Sequence, residues 1–238
     1  MFRLRGHTTM GSQPGVGTIL KFRKGEIIYS QGDTAGDWYT VISGTVRTCY
    51  LSCDGHRQLT GFFYDGDVFG IDHRQYSASA EAVTAVVLRR NIRGGDADDR
   101  ASDTSPVNGA LQSALNNAQA CIFLLGKRTA TARLAAFLLA TSSRFPEDKA
   151  FALPMSRSDI ADHLGLTIHT VSRTLSEFVR RKIISMNGPQ AITINDPVAM
   201  RHMAQNDGNA VSNFQPAYVQ HPAHANGAAS AAHREYSL

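Results

Sequence analysis

Apolar positions change period along the chain. Between residues 18 and 90 they come in short runs, TILKF, EIIYS, WYTVIS, TVRTCYL, RQLTGFF and AVTAVVLRR, broken by KG, QGD, SG, DG and DGD. Runs rich in Val, Ile, Thr, Tyr and Phe and bounded by turn residues predict strands, and many at close spacing predict a sandwich or barrel. Asp54-Gly55 suits the turn of a hairpin. Further on, Leu111, Leu115, Ala118, Ile122 and Leu125 recur at steps of 4, 3, 4 and 3. A period of about 3.5 is that of a coiled-coil seam. It fits either a helix face buried within the chain or one that pairs with the same helix of a second copy. TATARLAAFLLATSS (129–143) predicts another helix, with Leu134, Phe137, Leu138 and Leu139 toward a core.

The stretch MSRSDIADHLGLTIHTVSRTLSEFVRRKII (155–184) holds two shorter helical patterns. Ser156 with Asp159 three places on reads as an N-terminal cap, and Ile160, Ala161 and Leu164 form an apolar face. Gly165 suits a left-handed turn. Thr167 caps the second helix, whose apolar side is Ile168, Val171, Leu175 and Phe178. Two short helices joined by a Gly-containing turn predict a helix-turn-helix, whose second helix lies in the DNA major groove. Candidate contacts are Ser156, Thr167, His169, Thr170, Ser172 and Arg173, with Arg173 able to pair bidentately with a guanine. Arg180, Arg181 and Lys182 can reach phosphates or simply balance the helix C-terminus. IISM and AITI around NGPQ predict a hairpin, a wing. From about Ala199 periodicity stops, which predicts a disordered tail.

The expected organisation is an N-terminal arm (1–17), a β domain (18–93), a linker and dimerisation helix (94–126), a winged helix-turn-helix (127–199) and a tail (200–238). Charge supports the placement of the DNA-binding unit. Residues 127–199 hold 10 Lys and Arg against 6 Asp and Glu, whereas the numbers are 12 and 12 in residues 1–126 and 2 and 2 in residues 200–238. A basic segment attracts a phosphate backbone. No apolar run reaches the roughly 18 residues of a membrane span. MFRLRGHTTMGSQPG lacks the apolar core of a secretion signal. Three cysteines fit a reducing compartment, so a cytoplasmic protein is expected.

A β domain, a seam helix and a winged helix-turn-helix in this order resemble the CRP/FNR family of bacterial transcription regulators over about residues 18–195. GDVFGI (66–71), SAEAVTAV (79–86) and LPMSRSDIADHLGLTIHTVSRTL (153–175) are most similar to its FixK-like branch. The resemblance implies an α+β fold: a double-stranded β-roll like the cyclic-nucleotide-binding domain, a long dimerisation helix and a C-terminal winged helix-turn-helix. It implies a homodimer that binds double-stranded DNA at a palindromic TTGA-like operator, activates transcription and contacts RNA polymerase. Ser172 and Arg173 match the family's recognition helix. His169 stands where that helix often carries Glu, so the half-site is expected to differ at one base pair; His169 reads that base or turns to a phosphate.

The family's cyclic-nucleotide binders use a Gly-Glu pair for the ribose and an Arg before Ser or Thr for the phosphate. Here Gly70 precedes Ile71, Tyr76 precedes Ser77, and Arg74 is two places early. A bidentate clamp does not tolerate that shift, so cyclic AMP is not an expected ligand. Oxygen sensors of the family hold an iron–sulfur cluster on four cysteines; this chain has three. Cys49 and Cys53, if on one strand, face the same side, and Cys121 lies beside the seam. No catalytic constellation, metal site or cofactor is expected. Two alternatives are a regulator gated by haem, nitric oxide or another small ligand in the β domain, and a ligand-binding or enzymatic β-barrel.

Overall fold

A computed structural model describes residues 17–92, 106–145, 150–188 and 190–205. Among these, the first segment folds into β1 (Thr18–Phe22), β2 (Ile27–Tyr29), β3 (Asp37–Ser43), β4 (Val46–Leu51), β5 (Arg57–Phe63), β6 (Val68–Phe69), β7 (Ser79–Ala82) and β8 (Val86–Ile92). Antiparallel pairing gives two four-stranded sheets, β1-β8-β3-β6 and β2-β7-β4-β5. The two-residue period of a pleated strand sends Val46 and Thr48 of β4 inward and leaves Arg47 less buried. Ile28, Val41, Val46 and Leu88 pack between the sheets as an apolar core.

The sequence pattern and the strands differ in two places. AVTAVVLRR is not one strand. The Val83 N–H donates to the Thr45 carbonyl (2.8 Å) at a corner where the chain leaves β7 in one sheet and enters β8 in the other. Cys49 lies in β4, whereas Cys53 lies in the turn after it, so the two share no strand. That turn is where Asp54-Gly55 predicts it, with Gly55 at φ +83°.

The helical part consists of α1 (Pro106–Gly126), α2 (Ala130–Ser142), α3 (Arg157–Leu164), α4 (Ile168–Arg180) and α5 (Pro197–Gln205), with short strands β9 (Ala150–Ala152), β10 (Ile184–Asn187) and β11 (Ala191–Ile194). β10 and β11 form the expected wing hairpin, and β9, which no sequence signal marks, pairs with β11 as a third strand. Leu134, Phe137 and Leu138 of α2 are buried and Leu139 packs against the same core. The tail does not begin at residue 200. α5 continues to Gln205 because Met200 and Ala204, one turn apart, are buried in the core that α2 and α4 share. Residues 1–16 of the expected arm, most of the expected linker and residues 206–238 of the expected tail lie outside the described residues. No described helix is long and apolar enough to cross a membrane.

α1 packs Ala110, Ala120 and Leu124 inward, toward β5, β6 and α2. The seam is mostly exposed, although Leu111 and Ala118 also border the space beneath α1. Leu111, Leu115 and Ile122 are 48%, 52% and 68% exposed, Ala118 is exposed as well, and Leu125 is half-buried. Within one chain the seam is therefore not a core face over most of its length.

Candidate nucleic-acid interface

The two helices of the interface are fixed by their ends. In α3 the Ser156 hydroxyl accepts from the Asp159 N–H (3.1 Å) and the Asp159 carboxylate accepts from the Ser156 N–H (3.0 Å), a reciprocal cap. Gly165 ends α3 in the left-handed region at φ 61°, ψ 44°, where a side chain is disfavoured. Two residues later Thr167 caps α4: its hydroxyl accepts from the Thr170 N–H (3.1 Å) and lies 2.9 Å from the Thr170 hydroxyl. Ser156, Thr167 and Thr170 thus spend their side chains on local structure, whatever else they touch. Such caps are worth about 1 kcal/mol each.

Ile160, Ala161 and Leu164 of α3 are buried against Val171, Leu175 and Phe178 of α4. Ile168, expected on the packing side, is 48% exposed at the first position of α4. On the opposite face His169, Ser172 and Arg173 are all exposed. Among the described residues no carboxylate forms an ion pair with Arg173. Arg180 differs: its guanidinium holds the Glu177 carboxylate at 2.7–3.0 Å, one turn back on the same helix. That surface pair is worth about 0–1 kcal/mol, so a phosphate can draw Arg180 away.

The other side of α3 docks on the β domain through polar groups that sequence reasoning did not find. Arg47 holds Asp159 at 2.6 Å and Glu81 at 2.7 Å, and Arg57 holds Asp159 at 3.1 Å and Asp162 at 2.7 Å. The Gln58 side chain donates to the Asp162 carbonyl (2.8 Å), and His163 Nδ1 lies 3.2 Å from the Leu59 carbonyl. Burial alone would raise the Asp159 carboxyl, but hydrogen bonds from Ser156 and the Arg47 and Arg57 guanidiniums outweigh it and hold that carboxyl below the usual range. Burial pushes the His163 imidazole down, against the smaller pull of the Leu59 carbonyl, and its ring packs on Phe62 and Phe137. In the sequence Asp159 reads only as the partner of the Ser156 cap, and Asp162 and His163 carry no signal; only their long-range partners make them a joint. The joint fixes the position of α4 relative to the β domain.

The interior of the β domain is filled rather than polar. Tyr76 stacks on Tyr29 with ring centroids 3.6 Å apart and 14° between planes, and Tyr39 and Phe69 extend the stack. The Tyr76 hydroxyl donates to the Asp37 carbonyl (3.0 Å), and burial raises the pKa of the phenol. Gly70, at φ +75°, lies so close to these rings that a Cβ would meet Tyr29 at 3.2 Å and Tyr39 at 3.3 Å. Arg74 is exposed. A cavity of ≈ 370 Å³ remains between β5, α1 and α2, with Phe62, Ile71, Cys121 and Phe137 among its walls. Arg144 borders it, but its guanidinium is held by Asp67 at 2.7 Å. Burial raises the pKa of the Cys121 thiol, which faces this cavity from α1. No group of three or more His, Cys, Asp or Glu side chains converges on a metal position among the described residues.

Comparison with known proteins agrees with this geometry. Residues 19–91 match the cyclic nucleotide-binding domain family and residues 132–203 the Crp-like helix-turn-helix domain family. The chain is 34% identical over 202 residues to the nitrogen fixation regulation protein FixK of Rhizobium meliloti (strain 1021), covering 83% of this chain and 92% of that one. It is 36% identical over 198 residues to FixK of Azorhizobium caulinodans, covering 79% of each. The solved structure of FixK2 from Bradyrhizobium japonicum superposes with a TM-score of 0.72 at 34% identity, covering 79% of this chain and 97% of that one. The two matched domains, in this order and over most of the length of these relatives, place the chain in the CRP/FNR family as a FixK-like, DNA-binding transcription regulator.

Proposed function

We propose that this regulator acts as a homodimeric activator in the cytoplasm, each copy laying α4 in the major groove of one half of a palindromic, TTGA-like operator. The observation that carries the reading is the outer face of α4, where His169, Ser172 and an Arg173 without a carboxylate partner stand exposed on a helix anchored by Val171, Leu175 and Phe178. Arg173 reads a guanine through its paired N–H groups and Ser172 a neighbouring base or phosphate. Ser156, Thr167, Thr170 and Arg180 flank that face and supply phosphate contacts. His169 cannot offer the carboxylate that accepts from cytosine N4, so one base pair of the half-site changes.

Dimerisation is supported by the exposed row of Leu111, Leu115, Ala118 and Ile122. Pairing that row with its copy buries it and sets two recognition helices about one DNA turn apart, roughly 34 Å. The β domain then serves as a scaffold and a surface for RNA polymerase. Cyclic AMP plays no part in this scheme: Ile71 and Tyr76 replace the cassette's Glu and Arg, and the Tyr29–Tyr76 stack holds Tyr76 in place. A second reading, gating by haem, nitric oxide or another small effector, is favoured by the ≈ 370 Å³ cavity. The ultraviolet–visible spectrum and metal content of the purified protein test it. Sedimentation with and without a palindromic duplex tests the dimeric reading; a single copy bound per duplex contradicts it.

A further inference from the structure

The end of α1 and the turn of the helix-turn-helix meet at one guanidinium. Arg133, one turn into α2, donates from Nε to the Lys127 carbonyl (2.8 Å), just past the end of α1. From Nη1 it donates to the Leu164 carbonyl (2.9 Å) and the Gly165 carbonyl (3.4 Å) at the end of α3. Carbonyls at helix C-termini lack intrahelical partners and favour a cation. Apolar contact adds to the link. A Cβ on Gly165 would meet Arg133 Nη1 at 3.5 Å and Leu125 Cδ2 at 3.8 Å, so the last turn of α1 abuts the turn between α3 and α4. Leu125 is the half-buried member of the seam, and its side chain lies against this turn. Lys127 is held a second time, its Nζ donating to the Ala204 carbonyl of α5 at 2.8 Å.

Two residues beyond Gly165, Thr167 caps α4. The caps at Ser156 and Thr167 are made without Arg133, so α4 forms independently of it. What Arg133 fixes is where α4 stands relative to α1. We propose that Arg133 is a positioning residue that sets the half-site spacing accepted by the dimer. This role rests on the reading of the protein as a homodimer with α4 in the major groove. In that dimer the exposed row of α1 lies along the axis. The path from axis to groove then runs through α1, the Arg133 hydrogen bonds, Gly165 and α4. The Arg47 and Arg57 joint holds the other side of α3 to the β domain; Arg133 supplies the link to the dimer axis. Loosening that link lets each α4 take several positions relative to its copy. Each half-site is read as before, but the pair no longer requires one spacing. The guanidinium is engaged by carbonyls, so phosphate binding does not depend on it.

The test measures the affinity of the full chain for palindromic duplexes that repeat the half-site selected by the wild type. The half-sites stand at the best spacing and at spacings shorter and longer by single base pairs. Wild type, Arg133→Met, Arg133→Lys and Arg173→Ala are compared, with sedimentation, melting temperature and salt dependence recorded for each. Arg133→Met keeps the stem and removes the hydrogen bonds. It should stay dimeric and bind the best duplex about tenfold more weakly, and the ratio of affinities between best and shifted spacings should shrink about tenfold, within the usual range of coupling between sites. Its salt slope should stay that of the wild type. Arg133→Lys keeps the charge but not the planar fork that spans carbonyls of two helices. It should stay folded and flatten the spacing profile to a smaller degree. A wild-type spacing profile in the folded, dimeric variants overturns the proposal, because the joint on the β domain would then hold α4 alone. A lowered salt slope, or lost preference at one base pair, overturns it too, because Arg133 would then touch the DNA. Wild type without a spacing preference, or Arg173→Ala with wild-type base preference, overturns the underlying reading instead.

Discussion

In the β domain, Tyr76, at a position of the family's ligand cassette, turns inward and packs on other rings; on α4, His169, Ser172 and Arg173, at the family's reading positions, are exposed. Tyr76 has a ring 3.6 Å from Tyr29 and a hydroxyl satisfied by the Asp37 carbonyl. Arg173 has neither a stacking nor an ion-pair partner among the described residues. Both regions carry a departure from the family pattern. At Tyr76 the family's Arg position carries a ring that packs into the core of the β domain, and Ile71 lines the cavity beneath α1. At His169 it places an imidazole where the family often carries Glu, on a face that stays exposed. The same kind of sequence difference thus falls on a buried side chain in one place and on an exposed one in the other.

The largest expected effect concerns what the open face depends on. Leu115→Glu with Ile122→Glu puts charges into the exposed α1 row and should give monomers by sedimentation. Losing the second recognition helix should weaken operator binding by about 10²–10⁴. A tight dimer in that variant breaks the proposed assembly. Next comes the packed region. Tyr76→Ala removes a buried aromatic ring and should cost about 3–5 kcal/mol in denaturant unfolding, while the selected DNA sequence stays the same. Cyclic AMP should shift operator affinity by less than about 1 kcal/mol in the wild type, below the usual range of allosteric coupling. A larger coupling would mean that the aromatic stack opens to a nucleotide.

A smaller effect sharpens the joint between the two regions. The folded-state pKa of His163 is depressed, so its contribution is complete above the unfolded value of about 6.5 and is lost as pH falls from there toward the folded pKa. Stability should fall as pH drops below about 6.5, and His163→Phe, which keeps the contact with Phe62 and Phe137, should flatten that slope. Asp159, also depressed, acts in a lower window: its stabilisation holds above the usual carboxylate range and is lost as pH falls through its folded pKa. Equal slopes in wild type and His163→Phe between pH 6.5 and 5 would contradict the buried neutral imidazole.

The elements that local pattern encodes were legible in the sequence. The caps at Ser156 and Thr167, the turn at Gly165 and the apolar side of α4 follow from spacing and residue type, because each is a contact within a few residues. The outward seam of α1 was half legible: its period predicts a packed stripe, but not whether the partner is this chain or another. What spacing could not show were contacts over about a hundred residues. Arg47 meets Asp159 and Arg57 meets Asp162 only because β4 and β5 come to lie under α3. The continuation of α5 past Ala199 was missed because the helix is only about two turns long and its apolar residues Ala199, Met200, Met203 and Ala204 are followed by a run without periodicity.

The central claim is that α4 reads DNA through Arg173 and His169. Selection of bound sequences from a random duplex pool, run with wild type, Arg173→Ala and His169→Glu, tests it most directly. The wild type should enrich a palindrome whose half-sites lie about one DNA turn apart. Arg173→Ala should lose preference at a single guanine, at a cost of about 1–3 kcal/mol on the best operator. His169→Glu should move one base pair of each half-site toward TTGA. The same enriched sequence from all three proteins, or no palindrome from the wild type, would contradict the claim.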